Sequence, residues 1–95
     1  MEGIYELIIT DDARQIDLTK LEDTVRKQII KNIQEKLSVA PEHFGKPLRH
    51  GLKNTRALRV GNYRILFSIQ GKVVKILAIF HRSIGYEDLL SRMEP

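Results

Sequence analysis

RALRVGNYRILFSIQGKVVKILAIFH, residues 56–81, decides the fold. Three runs rich in β-branched and aromatic residues are separated by two glycine-containing dipeptides, Gly61-Asn62 and Gln70-Gly71. Glycine accepts the positive φ of a tight two-residue turn, so the pattern predicts an antiparallel meander of strands 56–60, 63–69 and 72–81. The pairing follows from the turns. Val60 faces Tyr63, Arg59 faces Arg64 and Leu58 faces Ile65; then Ile69 faces Lys72, Phe67 faces Val74, Ile65 faces Ile76 and Tyr63 faces Ala78. Side chains alternate across a strand, which gives the sheet two different faces. One holds Leu58, Val60, Tyr63, Ile65, Phe67, Ile69, Val74, Ile76, Ala78 and Phe80 and is the expected core. The other holds Ala57, Arg59, Arg64, Leu66, Ser68, Val73, Lys75, Leu77, Ile79 and His81, half apolar and half basic. Arg59 opposite Arg64 is informative, because like charges across a strand pair repel. A face that gathers both with Lys75, and His81 at a strand end, suits an anion. Arg82 falls on the core side by strict alternation, a poor place for a guanidinium without a partner. Either the strand ends near Phe80 or a bulge turns Arg82 around.

Upstream, residues 19–39 carry apolar side chains at Leu18, Leu21, Val25, Ile29, Ile33 and Leu37, with Ile30 beside them. Steps of three and four place these on one face of a helix, the natural cover for the apolar side of the meander. Thr19-Lys20-Leu21-Glu22 has the form of a capping box, and Pro41 stops the helix. Residues 4–10 (IYELIIT) read as a first strand, and residues 11–18 are ambiguous between loop and short helix. Residues 41–55 read as a loop carrying His43, Lys46, Arg49, His50 and Lys53, with no metal-ligand spacing. Residues 86–93 (YEDLLSRM) suit a C-terminal helix. The expected class is α+β: an antiparallel sheet, made of the N-terminal strand and the meander, packed on N-terminal helices.

Charge is unevenly spread. Residues 1–45 have a net charge of −3, residues 46–86 have +9 with no acidic residue, and residues 87–95 have −2. A concentrated positive segment attracts polyanions, and Lys46, Arg49, Lys53, Arg56, Arg59 and Lys75 are its candidate residues for binding one. With 95 residues the chain forms one domain, residues 1–95. It contains no cysteine, which excludes disulfides, thiolate zinc sites and cysteine nucleophiles. No glycine-rich phosphate loop, paired carboxylates or zinc pattern occurs, and no metal or other cofactor is expected. No apolar run approaches the roughly 20 residues that span a bilayer. The opening MEGIYELIIT lacks the features of a signal peptide, so the expected location is the cytoplasm.

GKPLRHGLKNTRALRVGNYRILFSI (residues 45–69) followed by FHRSIGY (residues 80–86) resembles the RelE/ParE superfamily of type II toxins, and the resemblance spans essentially the whole chain. It implies a small α+β fold like that of the microbial ribonucleases. It also implies an acidic antitoxin that wraps the toxin and, in the RelE branch, ribosome-dependent mRNA cleavage. Carried onto this sequence, it implies that Arg64 binds the scissile phosphate and Arg82 stabilises charge or protonates the leaving group. Tyr86 orients the nucleophile or stacks on a base, and His81 supplies a proton-transfer group. The sequence departs from the best-known RelE toxins at Thr55 and Ala57, where those toxins keep lysines. Arginine stays protonated and makes a poor general base, which makes His81 the better-placed candidate by pKa and leaves proton transfer to His81 or Tyr86. The resemblance also admits a ParE-like inhibitor of DNA gyrase or a non-catalytic RNA-binding member.

Overall fold

A computed structural model describes residues 4–48, 54–85 and 88. Arg49, His50, Lys53, Tyr86 and the expected C-terminal helix lie outside the described residues. Five strands form one sheet: β1 (Glu6–Ile9), β2 (Lys46–Pro47), β3 (Thr55–Val60), β4 (Tyr63–Gln70) and β5 (Val73–His81). Their order is β1-β5-β4-β3-β2. The meander forms as expected, while β1 joins it parallel to β5, with Glu6 beside Val73 and Ile9 beside Ile76. β2 arises within the expected loop and pairs antiparallel with β3. No helix among the described residues is long and apolar enough to cross a membrane.

The first hairpin has the expected register, with Val60 opposite Tyr63 and Arg59 opposite Arg64. The second does not. Gln70 pairs with Val73 and Ile69 with Val74, so the turn is Gly71-Lys72 rather than Gln70-Gly71. Gly61 and Gly71 both have φ of +60° and both stand first in their turns. That is the type II′ requirement, positive φ at the first central residue. The resulting slip is two residues and preserves the alternation, so Val74 and Ile76 still face the core.

A β-bulge then changes the outcome. Phe67 pairs with Ile76 but Leu66 pairs with Ala78, leaving Leu77 as the extra residue. One added residue inverts every later side chain. Ile79 therefore joins the main core with Leu58, Val60, Ile65 and Phe67. Ala78 and Phe80, expected in that core, lie on the other side with Leu66, in a second small core against Leu48, Ala57 and Leu77. His81 is displaced in the opposite sense: it pairs with Tyr63, on the side of Ile79 and Ile65.

The main core is closed by Leu18, Leu21, Ile29, Ile33 and Leu37, the stripe read from the sequence. The helix bearing it is interrupted. Ala13–Asp17 forms a π-helical turn and Leu18–Lys20 a 3-10 turn. The chain is extended at Leu21 (ψ 147°) and Glu22 (ψ 153°), and α1 (Asp23–Asn32) then continues into a π turn at Ile33–Leu37. No capping box forms. Thr19 already sits in a helical turn, where its hydroxyl donates back to the carbonyls of Gln15 (2.7 Å) and Ile16 (3.0 Å). Arg26 spans the break instead, donating to the carbonyls of Leu18 (2.9 Å) and Leu21 (2.7 Å) and to the Asp23 carboxylate (2.7 Å). After Ala40 a short helix, α2 (Pro41–Phe44), leads into β2. The Tyr5 hydroxyl donates to Glu42 and ties the start of β1 to α2. This bond holds the Glu42 carboxyl below its ordinary pKa and raises that of the Tyr5 phenol.

Beyond Ile76, β5 loses β1 as a neighbour, and its outward backbone groups need other partners. Asp17, 8% exposed, accepts the Ile79 N–H at 2.9 Å. The Thr10 hydroxyl lies 3.4 Å from the Leu77 carbonyl. Asp17→Ala would orphan a buried N–H beside the bulge, a loss of about 1–3 kcal/mol. Urea unfolding checks this, and an unchanged midpoint would show that the carboxylate does not hold the strand.

Candidate nucleic-acid interface

Three cations meet on one face of the sheet. Arg59 on β3 and Arg64 on β4 are direct partners across the hairpin. Lys46 on β2 pairs with Ala57, two residues from Arg59 and on the same side by alternation. With Phe44, Pro47 and Leu48 they line a cleft of about 410 Å³ in which no described lining residue is acidic. Ala57 and Leu58 complete the lining, so apolar side chains and cations share the cleft. Arg59 and Lys46 are exposed, and Arg64 is half-buried. The Arg59 Nε donates to the Gly61 carbonyl at 3.3 Å, which directs the guanidinium along the hairpin.

Arg82 lies just past the end of β5. The Arg82 N–H donates to the Asn62 carbonyl at 2.7 Å, which continues the β4–β5 ladder one step beyond Tyr63–His81. Arg82 follows the end of β5 in the turn, two residues beyond Phe80, the partner of Arg64. Both features weighed for Arg82 in the sequence occur: a bulge precedes it, and the strand ends at His81, before Arg82.

Other expected residues are placed elsewhere. His81 lies across the sheet from Arg64, edge-on to the Tyr63 ring with centroids 5.3 Å apart. Its Nδ1 is 3.1 Å from the Ser83 N–H and 2.8 Å from the Ser83 hydroxyl. Arg56 alternates to the face opposite Arg59 and donates to the carbonyls of Gly45 (3.0 Å) and Glu42 (3.3 Å), bracing α2 against β3. Lys75 shares the Arg64 face but pairs with Ser68, about 13 Å farther along the strand. Arg49, Lys53 and Tyr86 are outside the described residues. Among the described residues no group of three or more His, Asp or Glu is placed to hold a metal ion.

The sequence reading missed Phe44 as a site residue. It is 44% exposed at the cleft rim, with the Lys36 ammonium 5.5 Å from its ring centroid. An aromatic inside a basic loop was the available signal. Lys46 also has a place the sequence hid. Thr55 is buried and Ala57 half-buried, so β3 offers no amine, yet Lys46 stands directly opposite Ala57.

The sequence model of the family described as “ParE toxin of type II toxin-antitoxin system, parDE” matches residues 7–86. The chain belongs to this family. This RelE/ParE-type toxin is 36% identical over 84 residues to Toxin RelG of Mycobacterium tuberculosis (strain ATCC 25618 / H37Rv), a match spanning 86% of this chain and 95% of the relative. In the RelBE2 toxin–antitoxin complex from Mycobacterium tuberculosis, a chain 34% identical to the toxin superposes with a TM-score of 0.79, over 88% of this chain and 98% of that one. The isolated E. coli RelE toxin is 25% identical with a TM-score of 0.67, over 95% and 99%. The α+β RelE fold expected from the sequence stands.

Proposed function

We propose that this toxin is a metal-free mRNA endonuclease that acts on the ribosome and stops translation. The observation that carries the reading is the cleft of Lys46, Arg59 and Arg64, with no acidic group among its described lining residues. In such a reaction the ribose 2′-oxygen attacks phosphorus, the bond to the 5′-oxygen breaks, and a proton leaves the first oxygen while another reaches the second. Arg64 and Arg82 hold the phosphate, since a planar guanidinium matches two of its oxygens. Arg59 guides the flanking strand, and Phe44 offers a ring on which an unpaired base stacks for about 1–3 kcal/mol. Lys46, set opposite Ala57, supplies the amine that β3 lacks and, unlike arginine, is able to exchange a proton. Tyr86 keeps its expected role in orienting the nucleophile or stacking. Much of the rate comes from orientation, which a ribosome-bound message supplies.

The proposed partner is an acidic antitoxin that neutralises the cleft. The likeness to a chain in the RelBE2 toxin–antitoxin complex supports it. A gyrase-directed reading has one observation in its favour, the ParE description of the matching family. Three assays on the purified toxin separate the readings: primer extension on programmed ribosomes, primer extension on naked mRNA, and gyrase supercoiling. Cleavage confined to ribosomes is expected. Gyrase inhibition without cleavage would replace the proposal. RNA binding without cleavage, with a salt slope near −0.7 per phosphate contacted, would mark a non-catalytic member.

A further inference from the structure

We infer that His81 is the clamp of the turn that presents Arg82, a positioning residue that takes no proton in the reaction. The inference rests on the ribonuclease reading only for what Arg82 is presented to. Residues 81–84 form a tight turn in which each backbone N–H after His81 has an acceptor. The Arg82 N–H donates to the Asn62 carbonyl (2.7 Å) and the Ile84 N–H to the His81 carbonyl (3.0 Å). The Ser83 N–H donates to the His81 Nδ1 at 3.1 Å, with the Ser83 hydroxyl 2.8 Å from the same nitrogen. One residue thus supplies two of the three acceptors.

A backbone amide can only donate. Nδ1 must therefore be bare, and the hydrogen of the neutral ring sits on Nε2. To act as a base, His81 would have to offer a bare Nε2 and carry its hydrogen on Nδ1, which would set two N–H groups against each other at Ser83. The turn and the base function exclude one another. The geometry is instead that of an Asx turn, in which a side-chain acceptor takes the N–H two residues on, here with imidazole in place of amide. The edge-on contact with Tyr63, on the opposite face of the sheet from Arg64, fixes the ring from the other side.

The experiment compares full-length wild type, His81→Asn and His81→Ala. Imidazole nitrogen NMR of the wild type reads the tautomer, amide exchange reads protection of Ser83, and single-turnover cleavage on ribosomes reads activity. The expected tautomer carries hydrogen on Nε2. Asparagine reproduces the acceptor, so His81→Asn keeps Ser83 protected and cleaves within about threefold of wild type, while His81→Ala loses protection and about 10²-fold in rate, as misplacement of a catalytic group by about 1 Å does. A hydrogen on Nδ1, or a folded His81→Asn as inactive as His81→Ala, overturns the inference. If His81→Ala does not fold, the tautomer and His81→Asn decide. If wild type cleaves nothing, the ribonuclease reading fails by itself, and the tautomer with Ser83 exchange still supports or overturns the clamp.

Discussion

Arg64→Ala is expected to abolish growth arrest and to lower mRNA cleavage on ribosomes by at least about 10²–10³-fold, with the fold intact. Arg64 is the member of the cleft whose place is fixed most firmly. It stands on a central strand, between Arg59 on one side and Phe80 on the other. A fixed donor aimed at charge that develops during the reaction contributes most to rate and little to ground-state binding, so kcat falls more than RNA affinity. Arg64→Lys keeps the charge but loses the two-pronged donor geometry, and it falls between wild type and alanine. The core of the fold does not depend on Arg64, which lies outside both buried clusters, so the variant is expected to fold. Primer extension beside a thermal melt checks both halves. Full toxicity in a folded Arg64→Ala protein would sink the assignment.

Gly45→Ala is expected to cost about 3 kcal/mol, the upper end of the range for overpacking a filled core. The backbone is not the obstacle, since φ at Gly45 is −104°. Space is. A Cβ there would lie 2.3 Å from Cζ and 2.7 Å from Cε1 of Phe67, and 3.1 Å from the Arg56 Cβ. Phe67 is 0% exposed at the centre of the main core and has nowhere to withdraw. The methyl would push α2 and β2 outward, loosening the Arg56 bonds to the Glu42 and Gly45 carbonyls and moving Lys46 from the cleft. In a domain of this size the melting temperature should fall by roughly 12–24 °C. A melt within about 2 °C of wild type would mean that the contact relaxes freely.

The meander, the apolar helix stripe and the Arg59–Arg64 pair were legible because each depends on local spacing. Glycine spacing marked both hairpins, but the turn rule needed one further step. Glycine belongs first in a type II′ turn, which puts Gly71 with Lys72 rather than with Gln70. The bulge at Leu77 was not legible, because nothing distinguishes Leu77 from its apolar neighbours in the run from Val73 to Phe80. It is held by contacts made at a distance, from Thr10 and Asp17. The site inherited this split. Residues ahead of the bulge, Arg59 and Arg64, were placed correctly, while Phe80 and His81 beyond it were assigned to the wrong side. Phe44, and the place of Lys46 opposite Ala57, were hidden for a related reason: β2 is two residues long and exists because β3 is there to pair with it.

The parallel seat of β1 beside β5 ties the first strand of the chain to the last described one. During synthesis β1 emerges first, yet its partner positions at residues 73–76 arrive near the end of the chain. The helix stripe likewise waits for the meander that it covers. Pairings between segments so far apart in sequence form late, after the local hairpins. Arg59 and Arg64 come to face each other only once the first hairpin exists. A toxin chain cut short in translation therefore has neither a closed core nor a set of cations in place.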